Sequence, residues 1–213
     1  MFTNMTFEIL LLRIPVAFCA LVLHEMVKAR LSTMLGDPTP KSRGLLSGNP
    51  IKYLEPIGFI VTIVFGFGWG RPTPTSPLYY KDRQKGIFIT YLTPSLVNLL
   101  VGLLSALFAG AFYMAMSQQL YGTVETLIIT WFLRFFVTFA HCSVGIALFN
   151  MIPVPPLDAA KLLQAAVSPN TAIKLTQNEK LLQLVLIMLL MLGIINGVIQ
   201  PITTLFVNAA WSF

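Results

Sequence analysis

Leu23-His24-Glu25-Met26-Val27-Lys28 sits inside an apolar run covering residues 7–31. About 20 such residues span a bilayer, so the run reads as a membrane helix with an ionisable cluster in its interior. Three more long apolar segments follow, at residues 86–116, 123–150 and 181–209, the last interrupted by Pro201 as an expected kink or break. A shorter stretch at 57–69, rich in Gly, Phe, Ile and Val, leads into Pro-rich sequence. Composition agrees with a membrane protein. The 213 residues are 56% hydrophobic and only 10% charged, against about 25% charged in soluble domains. No internal repeat or low-complexity segment divides residues 1–213, which read as one membrane-embedded domain. Cys19 and Cys142 both lie in apolar runs and read as small buried residues, not as a disulfide framework.

The formal net charge of +6 does not imply nucleic acid, because the basic residues cluster in loops between apolar segments. Lys28, Arg30, Lys41, Arg43 and Lys52 precede the short stretch, and Arg71, Lys81, Arg83 and Lys85 follow it. Lys161, Lys174 and Lys180 lie between the third and fourth long segments, while the turn at 117–122 carries none. If the short stretch spanned, its two basic flanks would face opposite sides. The positive-inside bias instead favours four spans, the N-terminus outside, basic loops in the cytoplasm and a re-entrant or β-like insertion at 54–75. Non-helical backbone is tolerated at membrane depth only against protein or a water-filled cavity. The expectation is therefore an all-α polytopic protein of the cell membrane with about four transmembrane helices. Five spans is the alternative.

An intramembrane His-Glu pair is expensive and marks a functional site. On a helix, His-Glu-x-x-His places two imidazoles on one face to hold zinc, with Glu as general base. Here the fifth position is Lys28. Further strings follow: Gly36-Asp37-Pro38, Asn49-Pro50, Glu55-Pro56-Ile57-Gly58, Phe67-Gly68-Trp69-Gly70-Arg71-Pro72, and Asn150-Met151-Ile152-Pro153-Val154-Pro155-Pro156-Leu157-Asp158. In this order, across roughly residues 15–165, they resemble the site-2 protease family of intramembrane zinc metalloproteases. The Asn-x-x-Pro-x-Pro-Pro-Leu-Asp string is the most specific piece.

The resemblance implies His24 and Asp158 as zinc ligands, Glu25 as the base that activates water, and Asn98 as a stabiliser of the transition state. It also implies that the insertion lies beside a substrate strand. The sequence departs from the family at Lys28, where the second histidine belongs, and at Ala159, where glycine follows the aspartate. It departs again at Thr93-Pro94-Ser95-Leu96-Val97-Asn98, where glycine is lost and the asparagine falls one position late, and at Lys161. One residue is about 100° of helical rotation. Lysine is not among the usual zinc ligands, since only its neutral amine coordinates. Protonated, Lys28 would instead pair with Glu25 or Asp158.

His141 offers a substitute ligand, because counting from the helix ends places His24 and His141 at about 22 and 25 Å depth. A packing histidine is the plainer role. Arg13 and Arg134 also lie in apolar surroundings, with Glu8 and Glu125 as candidate partners, and Arg13 is expected to pair or to snorkel to the outer interface. Three functions follow. The first is an intramembrane metallopeptidase cleaving transmembrane segments of other proteins. The second is a proteolytically inactive homologue that binds membrane helices or a partner protein. The third is a small transporter or channel, since broken hydrophobic segments also build transport sites. Membrane lipid is the expected surrounding in each. Oligomeric state is not legible.

Overall fold

A computed structural model describes residues 7–117 and 122–211, the side chains through residue 209. Its helices are α1 (Phe7–Met34), α2 (Thr39–Ser42), α3 (Pro56–Phe65), α4 (Arg83–Met116), α5 (Thr123–Asn150), α6 (Asp158–Ala166), α7 (Pro169–Gln177), α8 (Glu179–Met191) and α9 (Ile194–Trp211). No strand occurs among the described residues. Three helices, α1, α4 and α5, are long and apolar enough to cross a membrane, and α8 with α9 forms a bent pair that makes four if the pair is one span. The chain is an all-helical integral membrane protein. The turn whose lack of charge guided the sequence reading includes residues 118–121, which lie outside the described residues.

The three long helices pack on one another, α4 against α5 most extensively. In lipid no hydrophobic force draws helices together, so close backbone approach through small residues does it. Gly102 shows this: a Cβ there would stand 2.8 Å from Val144 Cγ2 and 3.2 Å from the Ala140 carbonyl. Ala20, Ala106, Ala109 and Ala140 are buried in the same way. Cys142 is buried as expected, but Cys19 lies on the exposed face of α1.

The last apolar segment breaks elsewhere than at Pro201. It bends by 67° between α8 and α9, at Gly193, whose φ of +76° is a left-handed conformation that glycine adopts at no steric cost. Pro201 stays inside α9. A proline costs a membrane helix one hydrogen bond, which neighbours can replace, whereas a left-handed glycine ends the helix outright.

The insertion doubles back on itself. α3 has 10 residues and is therefore about 15 Å long, too short for a roughly 30 Å hydrocarbon core. That removes the five-span alternative. Glu55 caps the helix start by accepting from the Gly58 N–H at 2.5 Å. At Gly66, φ +83°, the chain turns, and residues 67–76 run back along α3 in no regular structure. Two glycines let helix and return segment touch backbone to backbone. A Cβ on Gly58 would collide with the Trp69 carbonyl, and one on Gly68 would lie 2.6 Å from the Gly58 carbonyl. Phe67 and Trp69 pin the return segment to the end of α5 through Phe149, at ring-centroid distances of 5.2 and 6.0 Å.

The half-buried C-terminus of α3 would leave its last four carbonyls without partners inside the helix. Each is satisfied. Gly66 N–H donates to the Thr62 carbonyl at 2.8 Å. Arg13 Nη1 donates to Ile63 and Val64 at 3.2 and 2.8 Å, and Gln200 Nε2 donates to Phe65 at 2.8 Å. Arg13 therefore turns inward and does not snorkel. Of the other two sequence-level pairings, Arg134 does meet Glu8. Glu125 instead accepts from the N–H of Gly122 at the start of α5.

Asp37 closes the long excursion between α1 and α4. Its carboxylate accepts from Ser32 Oγ at 2.7 Å, Ser76 N–H at 2.7 Å and Thr39 N–H at 2.9 Å, so it ties residues 37–39 to residue 76. Burial alone would push its pKa up, but the hydrogen bonds from Thr39, Ser76 and Ser32 outweigh burial and hold it below its ordinary 3.8. A carboxyl lowered in the folded state contributes stability that is complete above its ordinary value and fades as pH falls through the lower folded one. Asp37→Asn is expected to cost about 1.5–3 kcal/mol at neutral pH, the range for hydrogen bonds to a charged group. Thermal unfolding in detergent from pH 7 to pH 3 checks this. The gap between native and variant should be widest at neutral pH and narrow below about pH 4.

Candidate active site

α1, α4, α6 and the return segment converge on one buried cluster. His24, Glu25 and Lys28 occupy a single face of α1, because positions three and four apart on a helix are neighbours. α5 ends at Asn150, whose Nδ2 donates to the Ile146 carbonyl at 2.8 Å and the Gly68 carbonyl at 3.3 Å. That residue couples the helix end to the return segment. The Pro-rich turn that follows, with a cis bond between Pro155 and Pro156, delivers Asp158 as the first residue of α6. A carboxylate there is favoured by the helix dipole.

The geometry is closed. His24 Nε2 lies 2.9 Å from Asp158 Oδ2, and Lys28 Nζ lies 2.6 Å from Asp158 Oδ1 and 2.9 Å from Glu25 Oε1. Glu25 Oε2 accepts from the Thr73 hydroxyl at 2.7 Å and the Thr73 N–H at 3.1 Å. The Lys28 ammonium also sits 5.9 Å above the Tyr91 ring, within cation–π range. His24, Glu25, Lys28 and Asp158 are each no more than 3% exposed. One ammonium thus bridges two carboxylates in a dry interior, with the imidazole donating to one of them.

The return segment lies directly against the cluster. A Cβ on Gly70 would stand 2.7 Å from Glu25 Cγ and 2.9 Å from the Tyr53 carbonyl. Thr73 and Tyr91 are contacts that sequence reasoning did not single out. Thr73 sits in an exposed-looking Pro-Thr-Pro-Thr run, and Tyr91 is one of many aromatic residues at helical spacing.

Asn98 is fully buried despite its late register. Its Nδ2 makes a long 3.5 Å hydrogen bond to the Ala20 carbonyl, one turn before His24, and its Oδ1 has no partner. His141 does not join the cluster. It lines a separate cavity with Arg13, and Arg13 precedes His24 by eleven residues, about 16 Å along α1. Equal depth counted from helix ends misplaced it because α5 begins far above α1.

The donor set tests whether zinc fits. A catalytic zinc takes three protein ligands and leaves one open position. Both oxygens of Asp158 and both of Glu25 are already engaged, and His24 spends Nε2 as a donor to Asp158. His24 Nδ1 is buried and partnerless, which leaves one imidazole lone pair on offer. Among the described residues no group of three His, Cys, Asp or Glu side chains is placed to hold a metal ion. The position between the carboxylates holds a cation, which repels a second one. These residues do not fit zinc as they stand.

Comparison with known proteins bears on the same residues. The family model described as Peptidase family M50 matches residues 7–193. A Bacillus subtilis (strain 168) protein named "Putative zinc metalloprotease YwhC" is 33% identical over 160 residues, covering 74% of this chain and 69% of that protein. No solved structure matches.

Proposed function

Since the chain belongs to peptidase family M50, we propose that it is a non-hydrolytic member of that family, one that receives extended membrane segments of other proteins without cutting them. The observation that carries this reading is Lys28 Nζ at 2.6 Å from Asp158 and 2.9 Å from Glu25. The ammonium supplies the positive charge that the family's metal would supply, and it occupies both carboxylates that ligation and base catalysis would need. What remains usable is the return segment. Residues 66–76 belong to no helix or strand; the Gly68 carbonyl and the Arg71, Thr73 and Ser76 N–H groups are engaged within the protein, and a further segment would add by main-chain hydrogen bonds to the groups between them. The basic loops on either side of the insertion support a cytoplasmic placement of its open end.

The hydrolytic reading keeps one observation in its favour: His24, Glu25 and Asp158 are gathered in a single buried cluster, as an intramembrane metallopeptidase requires. It needs Lys28 as a neutral amine. Deprotonating a lysine at pH 7 costs about 4.6 kcal/mol from its ordinary pKa, before the two ion pairs are given up.

Zinc per chain in detergent-purified protein, together with the fate of a model transmembrane segment, separates the two. The native chain is expected to bind the segment, leave it intact and carry little zinc. Lys28→His, which restores the missing imidazole, is expected to take up close to one zinc. Near-stoichiometric zinc in the native chain that disappears with His24→Ala would overturn the proposal. So would cleavage of the segment that Glu25→Gln abolishes.

A further inference from the structure

The return segment carries its hydrogen-bonding groups unevenly. Across residues 71–74 every main-chain donor is engaged or missing. The Arg71 N–H donates to the Tyr53 carbonyl at 2.8 Å, and the Thr73 N–H donates to Glu25 Oε2 at 3.1 Å. Pro72 and Pro74 have no N–H to give. The carbonyls of the same four residues accept no hydrogen bond from any described residue. Four acceptors thus follow one another with no free donor among them. On the binding role already proposed for this segment, we infer that it selects a bound polypeptide by that polypeptide's main-chain N–H groups, with Pro72 and Pro74 as the residues that determine the selection.

Local sterics set the shape of the row. A residue that precedes proline is pushed out of the helical region toward extended backbone, and Arg71 and Thr73 both precede prolines. Successive residues of an extended chain turn their N–H and C=O groups to opposite edges. Arg71 and Thr73 direct theirs inward, to Tyr53 and to Glu25 of the ion-pair cluster. Pro72 and Pro74 therefore turn their carbonyls to the open edge, and both are exposed while Thr73 is buried. Proline belongs at such an edge, where no neighbouring strand asks for its N–H. It also blunts the edge against a strand that needs donors as well as acceptors.

The chemistry of the occupant follows. Carbonyls beside a membrane need a donor that lipid does not supply. A cationic donor is disfavoured, because Arg71 is itself an exposed charge in the row. Neutral amide N–H groups remain. A strand rises about 3.3 Å per residue, which spaces the carbonyls of Pro72 and Pro74 at about 6.6 Å, the repeat of N–H groups along one edge of an extended peptide. The fit is to two N–H groups with one residue between them. Proline at either position would remove a donor. A segment kept in a helix would hold its N–H groups internally.

A fluorescent apolar peptide of about 20 residues and non-repeating sequence, titrated with the full chain in neutral detergent, tests this by anisotropy. N-Methylation is moved along the peptide one residue at a time. At each sensitive position an ester replaces the amide, which removes the same N–H without added bulk. Two sensitive positions are expected, with a tolerant residue between them. Each ester should weaken binding about fivefold, the worth of one net hydrogen bond. The double variant Pro72→Ala, Pro74→Ala returns two donors to the edge and should bind the unmodified peptide about fivefold more tightly. No gain in that variant would overturn the part assigned to the prolines. An unmodified peptide that binds, with affinity indifferent to every methyl and ester, would overturn this inference and leave the binding role standing. An unmodified peptide that does not bind would overturn both.

Discussion

Lys28→Met is expected to destabilise the protein by about 3–5 kcal/mol, the usual penalty for removing one partner of a buried ion pair. The substitution keeps the length and apolar stem of the side chain, so the loss is electrostatic. Glu25 and Asp158, both almost fully buried, would lose their shared cation. Thr73 would still donate to Glu25, and His24 to Asp158, but neither supplies the missing charge. The remedy is specific. Adding Asp158→Asn to Lys28→Met removes one of the stranded charges and should recover a large part of the loss. A simple packing defect would not be repaired that way. Denaturant unfolding of the three proteins in mixed micelles measures it. Native-like stability of Lys28→Met alone would sink the closed-cluster reading and favour a neutral lysine. Because zinc that binds only the folded state stabilises it, the Lys28→His protein should gain stability on zinc addition where Lys28→Met does not.

What the sequence disclosed, and what it hid, follows from how far each signal reaches. Helix existence was legible because uncharged apolar runs of bilayer length have few other fates. The pairing of Lys28 with the acidic residues was legible because His24, Glu25 and Lys28 share a helical face whatever the rest of the fold does. Asp158 reached the cluster from 134 residues away, and no local rule foretells that distance. Only the resemblance of its Pro-Pro-Leu-Asp string to a family did.

The errors share one cause. His141 was placed by counting residues from helix ends, which assumes that helices start level. α5 does not start level with α1. Pro201 was given the bend that Gly193 makes, because a proline is visible in sequence while a positive φ is not. Arg13 was expected to pair or to snorkel, with Glu8 and Glu125 as candidate partners; it donates instead to backbone carbonyls of α3, and carbonyls carry no sequence signature. The glycines at 58, 68 and 70 look alike in the string. Each is required by a different neighbour: Trp69, the backbone of α3, and Glu25.

The inward turn of Arg13 leads to the second large effect. Arg13→Met is expected to cost about 1–3 kcal/mol, because two half-buried carbonyls, Ile63 and Val64, lose their donors, each loss falling below the full penalty of about 1–3 kcal/mol for a buried group. The damage should be local before it is global. α3 is only 10 residues long, and it is fixed by its end caps, by the Gly58–Trp69 approach and by the aromatic contacts of Phe67 and Trp69. Without the arginine its C-terminus has Gln200 and the Thr62–Gly66 bond alone. Amide hydrogen exchange in detergent should therefore rise most over 56–76, while α4 and α5 stay protected. Arg13→Lys tests whether charge or geometry matters. Lysine keeps the cation but lacks the fork that serves two carbonyls at once, so partial protection is expected. Because Thr73 and Gly70 on the return segment contact Glu25, loosening α3 should also loosen the ion-pair cluster. Exchange confined to α1, with 56–76 as protected as in the native chain, would mean that Arg13 does not hold the insertion in place.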